Sequence, residues 1–130
     1  MNYLKPTTKN ELNRVQTALK KELASEKIIQ DIYEYIFNTE GKKTRALLSL
    51  LSSKSTKIKP SERIGLASII ELLHTATLVH DDVVDESEVR RGSKSVNQVW
   101  TNSYSVLIGD FIYSKAFILM VKLGIPSILD

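Results

Sequence analysis

PSERIGLASIIELLHTATLVHDDVVDESEVRRG, residues 60–92, is the stretch whose reading decides the fold. Ile64, Ile69, Ile70, Leu72, Leu73, Leu78 and Val79 recur at helical spacing, so the segment predicts one long helix. Ser61 is the expected N-cap, with Glu62 favourable in the first turn. The helix is expected to end near Asp85, because Gly92 closes the charged stretch ESEVRRG.

At about 100° per residue, Asp81 and Asp85 lie roughly 40° apart on one helix face, and His74 lies about 20° from both. Asp82 stands about 100° round from Asp81 and joins such a site only from its edge, as a second-rank member. Carboxylates one turn apart repel, and the macrodipole disfavours anions at a helix C-terminus. A divalent cation removes that cost, and Mg²⁺ needs only one or two protein carboxylates when water and phosphate complete its shell. Arg90 and Arg91 follow within a few residues, and Arg is the side chain best shaped to grip phosphate oxygens. The combination describes a magnesium-diphosphate clamp; the plainer alternative is a solvated acidic helix end. For His74 the alternative is a hydrogen-bonded core histidine.

Working outward, Thr8 and Glu11 have the spacing of a capping box, and Leu12, Val15, Leu19 and Leu23 follow at helical spacing. A second helix holds Ile28, Ile29, Ile32, Tyr35 and Ile36 and ends before Gly41. A third runs from about Lys43 to Ser52, followed by the polar loop SSKSTKIKP. Lys42, Lys43 and Arg45 stand at its start, where helix N-termini attract anions, or where a solvated turn would also fit. A last helix is expected from Asn102 or Ser103 to about Leu123, stopped by Gly124 and Pro126. Within it Asp110, between Ile108 and Gly109 on one side and Phe111 on the other, requires a partner or a role. A strand pattern competes only briefly, at Val96 to Trp100. Ser127 resembles the cap of one more helix, with three residues after it.

Composition sets the outer limits. An apolar fraction of 42% with 25% charged residues fits a folded globular chain, and 5 glycines with 3 prolines favour helix over a turn-rich β fold. A net charge of +3 is too mild to imply nucleic-acid binding, but it suits anionic small substrates. Without cysteine there is no disulfide frame, thiolate metal site or cysteine nucleophile. The apolar stretch from Val106 to Leu129 is interrupted by Asp110, Lys115, Lys122, Gly124 and Pro126, which argues against a membrane span. The N-terminus lacks a signal-peptide pattern, and the expectation is a cytoplasmic protein.

The residues resemble the trans-isoprenyl (polyprenyl) diphosphate synthases. ELLHTATLVHDDVVDESEVRRG is similar to that family's first aspartate-rich motif, GKKTR to its GKRxRP, and VLIGDFIYSKAF to its GDFL-type helix. Order and spacing of the three agree over about residues 38 to 122, closest in type to the long-chain bacterial subgroup that includes octaprenyl diphosphate synthase. The resemblance implies an all-α, antiparallel helix bundle of the trans-prenyltransferase type, of which residues 1–130 form a single partial domain, the N-terminal part, with about five to six helices. It implies a Mg²⁺-dependent enzyme that adds isopentenyl diphosphate units to an allylic prenyl diphosphate. Asp81 and Asp85 would ligate Mg²⁺ with Asp82 in support, and Arg90 would contact the allylic diphosphate. Lys42, Arg45, His74 and Arg91 would hold isopentenyl diphosphate. Ala76 and Thr77, both small, occupy the positions that limit chain length in this family, which implies a long product of the quinone side-chain class.

Two departures stand beside the resemblance. Lys43 and Ala46 replace an arginine and a proline of GKRxRP, and Lys keeps the charge while losing the bidentate fork. Family members also carry a second aspartate-rich motif, which nothing after Asp110 resembles. The chain is therefore expected to be inactive alone, as a homo-oligomer or paired with a missing C-terminal half. The alternative is a non-catalytic diphosphate-binding or partner subunit of a two-chain prenyltransferase.

Overall fold

The computed structural model describes residues 6–23, 27–38 and 43–124. Along them run α1 (Pro6–Leu23), α2 (Lys27–Asn38), α3 (Thr44–Ser53), α4 (Pro60–Val84), β1 (Val89–Arg90), β2 (Ser93–Lys94), α5 (Val96–Val99) and α6 (Asn102–Leu123). The described residues thus form the expected helical assembly of six helices, with one short hairpin. No described helix is long and apolar enough to cross a membrane.

α4 is the spine because its apolar residues cover more than one face. Ile64, Ala67, Ile69, Leu72, Ala76 and Val79 are all buried, and they join Val15, Leu19, Ile32, Leu50 and Ile112 in one cluster fed by every helix. Each fully buried Leu or Ile contributes about 1.5–3 kcal/mol of transfer free energy, before the cost of ordering the chain. α6 lies antiparallel on α4. Gly65, early in α4, packs on Leu123 at the end of α6, while His80, late in α4, reaches the Val106 carbonyl near the start of α6 at 3.1 Å.

Helix ends show where local signals prevailed and where they lost. Thr101 caps α6 by accepting from the Tyr104 amide, and Gly124 closes it in the left-handed region at φ 67°. α4 ends at Val84 with Asp85 as C-cap, as expected, but it starts one residue before Ser61: Pro60 is its first residue, and the Lys59 amide donates to Glu62. Proline suits that first position, since its missing N–H has no helical partner there. The expected capping box at Thr8 and Glu11 does not form, because α1 already begins at Pro6. Thr8 is buried and accepts from the Lys54 ammonium, and Glu11 pairs with Arg63 at 2.8 Å and Lys54 at 3.3 Å. Two cations on neighbouring helices hold that carboxylate more firmly than one local amide would.

The expected strand signal at Val96 to Trp100 is instead the single helical turn α5, with Trp100 set edge-on to Tyr35. Strands form a few residues earlier, in the charged stretch. β1 and β2 pair antiparallel across Arg91 and Gly92, at φ 51° and 80°. Two consecutive residues at positive φ are the condition for the tight hairpin turn whose twist matches its strands. Ser87 and Ser95 clasp the base: the Ser95 hydroxyl donates to the Ser87 carbonyl, and the Ser95 amide to Glu88.

Candidate functional site: a cationic cavity beside the aspartate cluster

Three elements converge where the long helix ends. The C-terminal half of α4, the N-terminus of α3 and the hairpin enclose a cavity of about 380 Å³, with Tyr35, Ile36 and Phe37 of α2 closing one side. The charged and imidazole side chains of the lining are those of Lys43, Arg45, Glu71, His74, Asp82, Arg90, Arg91 and Lys94. Five of these are cations and two are carboxylates, so the concavity favours an anion.

Of the three clustered aspartates, Asp82 faces inward. Its side chain is 1% exposed, and it accepts from Arg90 Nε at 2.7 and 2.8 Å and from Nη2 at 2.7 Å. The Asp82 hydrogen bond raises the Arg90 pKa, partly opposed by burial. Asp81 and Asp85 are exposed and stand outside the cavity lining. Angles on a helix give relative positions only; the packing of α3 and the hairpin chose the side of α4 that carries Asp82, Leu78 and Thr75.

His74 is half-buried and joined to Arg45, Nη1 to Nε2, at 2.9 Å. Arginine has no acceptor, so Nε2 accepts and the proton sits on Nδ1. Burial, then the neighbouring Arg45, push the His74 pKa down, with Glu71 pulling the other way. His74 is therefore a neutral ring at neutral pH. Glu71 itself is buried and accepts from the Ala46 amide in the first turn of α3 at 2.9 Å. The Tyr35 hydroxyl donates to the Lys94 carbonyl at 2.7 Å, which ties the hairpin to α2.

The structure thus brings together Arg45, His74, Arg90 and Arg91 of the residues singled out by sequence, with Asp82. Lys42 lies outside the described residues. Ala76 is fully buried in the core, and Thr77 is exposed with its hydroxyl donating to the His74 carbonyl. Asp110 is two-thirds exposed, so the burial that would have required a partner is absent, and His80 Nε2 lies 3.5 Å from it. Sequence reasoning passed over Glu71, Lys94 and Tyr35. A carboxylate inside the apolar run IIELL was a signal for Glu71; nothing local marks Lys94.

Among the described residues the carboxylates open to a magnesium ion at this helix end are exposed ones. Among the described residues no group of three or more His, Asp or Glu side chains gathers to hold a metal, and Asp82 is already committed to Arg90. Asp81 and Asp85 remain, two exposed carboxylates one turn apart, the number that suffices for a cation completing its shell with water and phosphate.

Comparison with known proteins gives the family and the fold. The chain is 38% identical over 124 residues to octaprenyl diphosphate synthase of Escherichia coli (strain K12), a match covering 95% of this chain and 38% of that protein. A decaprenyl diphosphate synthase from Rhodobacter capsulatus superposes with a TM-score of 0.87 at 31% identity, over 95% of this chain and 38% of that one. A polyprenyl synthase from Caulobacter crescentus CB15, solved with calcium and isoprenyl diphosphate, gives 0.84 at 33% identity over 89% and 36%. The chain therefore spans little more than a third of these relatives' length. A family model for polyprenyl synthetase matches residues 26–130, and the chain belongs to the polyprenyl synthetase family.

Proposed function

We propose that this chain supplies the diphosphate-binding wall of a polyprenyl diphosphate synthase, a transferase that joins isopentenyl diphosphate to an allylic diphosphate. The observation that carries the reading is the clustering of Lys43, Arg45, Arg90, Arg91 and Lys94 around one cavity at the aspartate-bearing end of α4. In the reaction the allylic C–O bond breaks, the isopentenyl double bond attacks the resulting carbocation, and a proton is lost. Charge develops on the departing diphosphate, and fixed cations aimed at it lower the barrier. Arg90 is preorganised for that role by Asp82, and Arg91 is carried at the hairpin tip. Arg45 and His74 present a joined guanidinium and neutral imidazole to the isopentenyl diphosphate, with Lys42 as a further proposed contact. Asp81 and Asp85 would hold Mg²⁺, which when bound supplies Lewis-acid stabilisation of the leaving group.

Within this reading Thr77, exposed one turn before Asp81, is the accessible chain-length position. Ala76 is packed in the core, where an aromatic side chain would first have to displace its neighbours. The small side chains support a long, quinone side-chain class of product. Exposed Leu107, Phe117 and Val121 of α6, at 63, 53 and 67%, support assembly into a homo-oligomer.

The test is calorimetric titration of the 130-residue chain with inorganic diphosphate, with and without Mg²⁺. Tight binding should require the metal. Replacing Asp81 and Asp85 together with Asn, or Arg91→Asn alone, should weaken it roughly tenfold or more, about 1.4 kcal/mol. Binding that ignores both the metal and these residues would refute the reading.

A further inference from the structure

Among the described residues the N-cap side chain of α3 does not cap its first turn. Its N-cap is Lys43, at φ 43°, with no side-chain hydrogen bond to the turn, and an ammonium cannot accept one. The Ala46 amide lies inside that turn, on a residue with no exposed surface, so water cannot serve as its acceptor. Among the described residues its acceptor is Oε1 of Glu71, at 2.9 Å, from a side chain that is itself 6% exposed.

The next residue back, Arg45, meets His74, one helical turn beyond Glu71 on α4. Consecutive residues of α3 are thus pinned to consecutive turns of α4. We propose that Glu71 is a positioning residue of the diphosphate site: by holding the first turn of α3 it sets the register in which Arg45 meets His74. The proposal rests on the reading of the cavity as a diphosphate site. It also explains why a carboxylate stands in a cavity whose other charges, Asp82 apart, are cationic. On electrostatics alone Glu71 repels the ligand; its contribution is geometric.

Those two effects have opposite signs, so they separate experimentally. Glu71→Gln keeps the acceptor and removes the charge, whereas Glu71→Asp keeps the charge and withdraws the acceptor by one methylene. Inorganic diphosphate with Mg²⁺ should bind the Gln variant as tightly as the unsubstituted chain, or several-fold tighter. The Asp variant should bind roughly tenfold more weakly, as when support behind a binding group is lost. Amide hydrogen exchange at Ala46, read without ligand, should accelerate in the Asp variant and stay slow in the Gln variant. Weakened binding or fast Ala46 exchange in Glu71→Gln would overturn the proposal, as would an Asp variant indistinguishable from the unsubstituted chain. Should the unsubstituted chain fail to bind diphosphate at all, the proposed function falls, while Ala46 exchange still decides whether Glu71 holds the turn.

Discussion

Asp81 and Asp82 are adjacent, identical in type and opposite in exposure. Asp82 is buried and satisfied by a guanidinium, so removing it leaves Arg90 without its partner and releases the hairpin from α4. Asp82→Ala should lower unfolding free energy by roughly 3 kcal/mol, the low end for a broken buried pair because Arg90 is 35% exposed. Asp81→Ala, at an exposed position, should change it by no more than about 0.5 kcal/mol. Urea unfolding of both variants measures the contrast; equal costs would contradict the assignment of the pair. The helical wheel ranked Asp82 below its neighbours because angle alone cannot say which side of α4 is covered. That depends on where Arg90 returns, eight residues later.

Among the elements, the α4–α6 contact is set by a glycine. A Cβ on Gly109 would lie 2.0 Å from His80 Nε2, so Gly109→Ala forces the imidazole away from the Val106 carbonyl. The expected cost is about 1–3 kcal/mol, typical of overpacking. In a His80→Ala background the same change should become neutral or stabilising, because Ala is favoured over Gly within a helix by about 1 kcal/mol. A double-mutant cycle read by thermal melting tests this, and additive effects would rule out the contact as the cause. The long helices were legible from spacing, since α4 and α6 carry enough apolar residues to be recognised without knowing their partners. The hairpin was not: its strands are two residues each, charged, and held by Ser87, Ser95 and Asp82 rather than by β-forming side chains.

For the whole molecule, Glu11 is a junction where α1, the end of α3 and the start of α4 meet. Burial pushes its pKa up, but the cations of Arg63 and Lys54 outweigh that and hold it below the usual carboxylate range. A carboxylate depressed on folding contributes stability that is present above its unfolded pKa and lost as pH falls through the folded one. Glu11→Gln should therefore cost roughly 1.5–3 kcal/mol near neutral pH. The gap should close as the medium is acidified through the carboxylate range, and melting curves across that range would show it. A gap that persists in acid would mean that Glu11 acts by packing instead. The sequence by itself determined the helical class, the long α4 with its acidic end, the start of α6 and its glycine stop, and the closeness along the chain of the three aspartates to Arg90 and Arg91, because these depend on local spacing and residue chemistry. Only the tertiary structure decided that Asp82 faces inward, that Glu71 caps a helix 25 residues away in sequence, and that Lys94 and Tyr35 complete the wall. Those contacts join side chains distant along the chain, and the packing of α3 and the hairpin against one side of α4, with Tyr35 of α2 bonded to the hairpin, brings them together.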